Sequence, residues 1–76
     1  MKDLVEYIAK SIASKPDEVT VTEETDDEDV TLIKLEVADE DKGKVIGRQG
    51  RVAQSIRLLL RVAAVKSGTK AVLEIL

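Results

Sequence analysis

Between Asp3 and Ser14 the apolar residues Leu4, Val5, Ile8 and Ile12 recur at helical spacing, which predicts a first helix with one packed side. Asp3 followed by Glu6 forms an Asp-x-x-Glu arrangement related to a capping box, with Asp3 as the expected cap. Pro16 disfavours helical geometry at Lys15, so this helix should stop by about Ser14. The β-branched run Val19-Thr20-Val21-Thr22 predicts a strand, and the acidic stretch Glu23 to Asp29 predicts the turn of a hairpin. Val30 to Val37 predicts the second strand, pairing antiparallel with the first, with Thr31, Ile33, Leu35 and Val37 on one face. Ala38-Asp39-Glu40-Asp41 should open a second helix, capped by Asp39 and kept short by Gly43 and Gly47. A long helix is expected from Arg51 to about Ser67, with a core stripe of Val52, Ile56, Leu59, Leu60 and Ala63. Gly68 then ends it. Lys70 to Leu76 completes the chain as a strand, with Ala71, Leu73 and Ile75 on one face.

The order helix, strand, strand, helix, helix, strand defines an α+β chain. The connection between the last two strands is long enough for a crossover, so those strands should be parallel. Seventy-six residues correspond to one domain, 1–76. A chain of this size buries roughly 60% of its unfolded surface, which leaves little room for an enclosed pocket. It has no cysteine and no histidine, so neither a disulfide nor a structural zinc site supports the core. The same absences remove the commonest general base and the commonest soft nucleophile, which argues against an enzyme. No apolar run reaches the roughly 20 residues of a membrane span. Together with the lack of cysteine and of a signal-peptide pattern, this gives a cytoplasmic expectation.

Charge divides the chain in two. Residues 1–41 carry fourteen acids and four bases, a net of −10; residues 42–76 carry eight bases and one acid, a net of +7. The basic half therefore calls for an anionic partner. Within it, Val45-Ile46-Gly47-Arg48-Gln49-Gly50-Arg51 places two glycines around a basic and a polar residue between two helices. Glycine suits both a sharp bend and the close approach of another chain. The start of the following helix attracts anions, and Lys44, Arg48 and Arg51 add charge there. A phosphodiester backbone fits such a surface.

The G-x-x-G between two helices, in this order of elements, resembles a KH domain of type II topology. The run Gly43-Lys44-Val45-Ile46-Gly47-Arg48-Gln49-Gly50-Arg51-Val52-Ala53 is similar to that of the KhpA family of small bacterial RNA-binding proteins, and the likeness covers essentially the whole chain. The resemblance implies a three-stranded mixed sheet covered on one face by three helices. It also implies binding of single-stranded RNA, with the loop clamping about four nucleotides. Lys44, Gly47, Arg48, Gln49, Gly50 and Arg51 would meet the backbone; Leu35, Val37, Ile46 and Val52 are candidates for an apolar groove, although core packing has the stronger claim on Ile46 and Val52. Ala53 stands where many KH domains carry a larger aliphatic, which would make that groove shallow.

Tyr7 is the only aromatic, so the stacking platform of an RRM or cold-shock sheet is not available, and binding should be micromolar or weaker. Leu58, Val62 and Val65 form a second apolar stripe on the long helix, either packed under the first helix or presented to a partner. The family implies pairing with a second copy or with a KhpB-like protein, and a role as an RNA chaperone linked to cell shape and cell-wall biogenesis. A protein-interaction module working through that stripe is the alternative function. Neither the P-loop pattern nor G-x-G-x-x-G occurs, and no metal, cofactor, membrane or small-molecule substrate is expected.

Overall fold

The computed structural model describes residues 1–76. Six regular elements follow one another: α1 (Lys2–Ile12), β1 (Thr20–Thr25), β2 (Val30–Glu36), α2 (Lys42–Ile46), α3 (Arg51–Lys66) and β3 (Lys70–Ile75). Short 3-10 turns at Pro16–Glu18, Asp39–Asp41 and Arg48–Gly50 join them.

The strands lie in the order β1-β2-β3, with β1 antiparallel to β2 and β2 parallel to β3. Period-two alternation puts Thr31, Ile33 and Leu35 of β2 on one buried face, beside Val21 of β1 and Leu73 of β3. All three helices pack on that face: Val5 and Ala9 of α1, Val45 of α2, and Ile56 and Leu60 of α3 close a single core with it. Thr22, Lys34 and Glu74, neighbours across the strands, mark the opposite, uncovered face. This is the α+β arrangement of a type II KH domain.

Four local expectations are corrected. Met1, not Asp3, holds the cap position of α1; it makes no side-chain cap bond, and Asp3 sits within the first turn. Strand β1 runs on through Glu23, Glu24 and Thr25, which pair with Ile33, Leu32 and Thr31. An edge strand keeps acidic side chains solvated while its backbone pairs, so charge alone did not mark the turn. The turn itself is shorter. The Asp26 carboxylate accepts from the Glu28 and Val30 N–H groups (2.8 and 3.0 Å), and Asp29 takes a left-handed φ of +61°.

The packed stripe of α3 is Ala53, Ile56, Leu60 and Ala64, whereas Leu59 is 47% exposed and Val52 and Ala63 are only partly covered. Two small alanines let the helix lie close to its neighbours, and bulky Leu59 turns outward. Finally, Asp39 is exposed and pairs with Lys42 (3.2 Å) instead of capping a helix. Its neighbour Asp41 is fully buried. The Ser14 and Lys15 N–H groups donate to the two Asp41 carboxylate oxygens (2.9 and 3.0 Å), which fastens the end of α1 to the start of α2.

Candidate nucleic-acid interface

The bend between α2 and α3 is built from backbone conformations that side chains resist. Gly47 (φ +79°, ψ 171°) lies in a region reached almost only by glycine. A Cβ there would stand 2.4 Å from Val52 Cγ2 and 2.8 Å from the Val52 backbone nitrogen. Gln49 and Gly50 are both left-handed, at φ +57° and +74°. The turn closes on itself, with the Gly50 N–H donating to the Gly47 carbonyl (3.1 Å), and the Gly47 N–H ends α2 on the Gly43 carbonyl (2.9 Å). Gly50 has open space around its Cα, so its glycine serves conformation and approach rather than internal packing.

Helix α3 starts at this bend without a side-chain cap and without an acid in its first turn. Its positive end is instead joined by Arg51 and, one turn earlier, Arg48, both exposed. Like charge at a helix start costs about 0.3–1 kcal/mol, so the arrangement favours an incoming anion over the free state. Neither arginine takes part in an ion pair within the chain.

Lys44 is placed differently. Its ammonium donates to the Ser14 hydroxyl and lies 3.8 Å from Asp41 Oδ1. The Ser14 N–H holds the Asp41 carboxyl below its ordinary value, against the opposing effect of burial, with help from the Lys15 N–H and the Lys44 charge. Lys44 thus belongs to the fastening between α1 and α2, and the free positive charge at the bend comes from Arg48 and Arg51.

The groove candidates separate in the same way. Leu35 and Val37 are 0% and 6% exposed. They face the helices, because the alternation that builds the core carries them inward, and they offer no wall to a ligand. Ala53, at 3% exposed, is a core residue as well. Val52 is half-buried against Gly47 and the core, while Ile46, the last residue of α2, is 40% exposed beside the bend. On α3, Leu58, Val62 and Val65 are exposed together with Leu59, so α1 does not cover them.

A cationic flank of α3 escaped the sequence reading. Arg57, Arg61 and, across the turn, Lys70 are exposed and free of ion pairs. The signal was present: between Lys42 and Leu73 no acid interrupts the bases.

A glycine-bracketed bend between two helices, on a mixed sheet of this topology, is the construction of a KH domain. The family model for the KhpA/KhpB KH domain matches residues 2–75. The chain belongs to this family. It is 50% identical over 76 residues to the RNA-binding protein KhpA of Clostridium acetobutylicum and 49% identical to that of Clostridium perfringens, covering all of each. The RNA-binding protein KhpA of Treponema pallidum is 44% identical over 75 residues, 99% of this chain and 92% of that one. Among solved structures, that of Aquifex aeolicus Era bound to GDP·AlF4- is similar in fold, with a TM-score of 0.59 at 19% identity, over 97% of this chain and 28% of the Era chain.

Proposed function

We propose that residues 1–76 act as one KH domain that holds single-stranded RNA by its sugar-phosphate backbone at the Gly47–Gly50 bend. The observation that carries this reading is the free surface at that bend: an open Gly50, an uncapped helix start and two arginines with no internal partner. The names of the relatives support it. Arg48 and Arg51 neutralise phosphate, Gly47 and Gly50 admit the strand, Gln49 offers a polar group at the crest, and Ile46 gives the first base an aliphatic surface. The protein works by binding rather than catalysis, as an RNA chaperone or post-transcriptional regulator in the cytoplasm.

The testing variant is Gly50→Asp with Arg48→Gln. Gly50 lies in open space, so its aspartate repels phosphate without entering the core, whereas any side chain at Gly47 collides with Val52. Loss of RNA binding with an unchanged circular dichroism spectrum supports the reading; unchanged binding overturns it.

A second reading rests on the exposed Leu58, Val62 and Val65 together with Leu59. This stripe is a surface for a second copy of the chain or for a KhpB-like protein, and pairing would bring two bends onto one strand.

A further inference from the structure

Asp41 stands at the N-cap position of α2 and makes no side-chain bond to that helix. An aspartate there ordinarily accepts from the N–H groups of its own first turn. This one gives both oxygens to another element: the Ser14 N–H reaches Oδ1 (2.9 Å) and the Lys15 N–H reaches Oδ2 (3.0 Å). Pro16 makes those donors available, because it keeps Lys15 out of the helical region (φ −119°, ψ 74°). Two consecutive N–H groups just beyond α1 thus grip one buried carboxylate as a fork. Lys44 closes the grip from α2, donating to the Ser14 hydroxyl beside Asp41 Oδ1. On the exposed side of the joint the Lys15 ammonium pairs with Glu40 (2.8 Å).

A buried charge is costly unless it is fully partnered, and no buried side-chain polar atom of the chain lacks a partner. Helix α1 does not depend on this joint, since Val5 and Ala9 already hold it in the core. The element that depends on it is α2. That helix has five residues, far below the length at which a helix holds itself, and one of them, Val45, is buried. Its last N–H bond is made by Gly47, where the bend begins, about 9 Å along the axis from Asp41. With Val45 its one buried side chain, a released α2 is free to roll, and rolling re-aims Gly47 against the start of α3. Ile56 and Leu60 fix α3 itself in the core.

We propose that Asp41 is a positioning residue for RNA: by tying the start of α2 to the α1–β1 connection, it holds the bend in the shape that admits the strand. It is fully buried and touches no RNA itself. The proposal rests on the bend reading above and deepens it. Release of the tie lowers the fraction of molecules with a competent bend, and the apparent affinity falls by that fraction. The bound complex keeps the same phosphate contacts, so its salt dependence does not change.

The experiment titrates labelled wild type, Asp41→Asn and Val5→Ala with short oligouridine well below each melting temperature, the folded fraction being measured by urea denaturation. Val5→Ala is the control for stability, since it removes core volume from α1 and leaves the joint intact. Asp41→Asn should bind about tenfold more weakly, with an unchanged slope of log K against log salt. Its free Gly47–Gly50 amide signals should be displaced or broadened and should converge on the wild-type positions at saturation. Val5→Ala should stay within about twofold of wild type, however much stability it loses. Affinity of folded Asp41→Asn within about twofold of wild type overturns the proposal. So does an equal loss in Val5→Ala, which would assign the effect to a weakened fold, and so does a reduced salt slope in Asp41→Asn. Should Asp41→Asn fail to fold, a synthetic chain with an ester oxygen in place of the Lys15 N–H removes one donor and keeps the carboxylate. That chain should show the same pattern with a loss of about threefold, and no loss overturns the proposal. Wild-type Gly47–Arg51 signals that never move mark the failure of the bend reading instead, and remove this proposal with it.

Discussion

The missing Cβ of Gly47 is the space occupied by Val52: a methyl group there would lie 2.4 Å from Val52 Cγ2. The start of α3 is thereby packed onto the bend that precedes it, so the bend has a fixed shape before any ligand arrives. Gly50 shares the positive φ but meets nothing. Alanine at the two positions should therefore behave differently. Gly50→Ala costs about 1–2 kcal/mol, the strain of a left-handed residue. Gly47→Ala should cost more than about 3 kcal/mol, because strain and collision add. Urea denaturation of the two variants measures the difference, and equal destabilisation would show that Val52 yields freely.

Asp41 should make the fold acid-sensitive. Its carboxyl is held below the ordinary value by the Ser14 and Lys15 N–H groups and the Lys44 charge. The unfolded chain thus takes up the proton first as pH falls. The stability contributed by Asp41 is complete above the ordinary carboxylate range and disappears as pH drops through the lower folded value. Asp41→Asn should lower the melting temperature by several degrees at neutral pH and flatten its decline below about pH 4. An unchanged acid profile in this variant would mean that the fastening is not ionic.

Salt dependence separates the cations at the bend. Arg48→Gln should reduce the slope of log K against log salt by about 0.7, the loss of one single-strand phosphate contact. Lys44→Gln should leave the slope unchanged, because its ammonium is engaged by Ser14 and Asp41. A fall in slope for Lys44→Gln would place that lysine on the RNA.

The outer face of α3 predicts association. Leu58→Glu and Val62→Glu introduce charge at positions 58% and 48% exposed, so the monomer fold should survive within about 0.5 kcal/mol. Light scattering should show a self-associated or partner-bound protein becoming monomeric. If wild type and both variants share one mass, alone and with a KhpB-like protein, the stripe is not an interface.

The order of the elements, the antiparallel and parallel pairings and the glycine-bracketed bend were legible in the sequence, because each depends on local periodicity or on residues with few conformational options. What stayed hidden depended on a choice between chemically equivalent neighbours. Nothing local distinguishes Asp39, Glu40 and Asp41; only the arrival of the Ser14 and Lys15 N–H groups from the end of α1 selects Asp41 for burial. Leu59 was expected inside and Ala64 was not, since size was taken as the sign of burial where a close helix approach requires a small residue. Nothing near Lys44 in the sequence announces its partners, Ser14 from the segment after α1 and Asp41 of the Asp39–Asp41 turn. Leu35 and Val37 read as groove residues for want of knowledge of which face the helices cover.

Contact between RNA and the main chain at the bend is decided by titration of the isotopically labelled protein with short oligouridine at low salt. Amide signals of Gly47 to Arg51 should move progressively, while those of the buried β2 residues Ile33 and Leu35 stay in place. Signals at the bend that remain still at saturating oligonucleotide, with movement elsewhere or none at all, would contradict it.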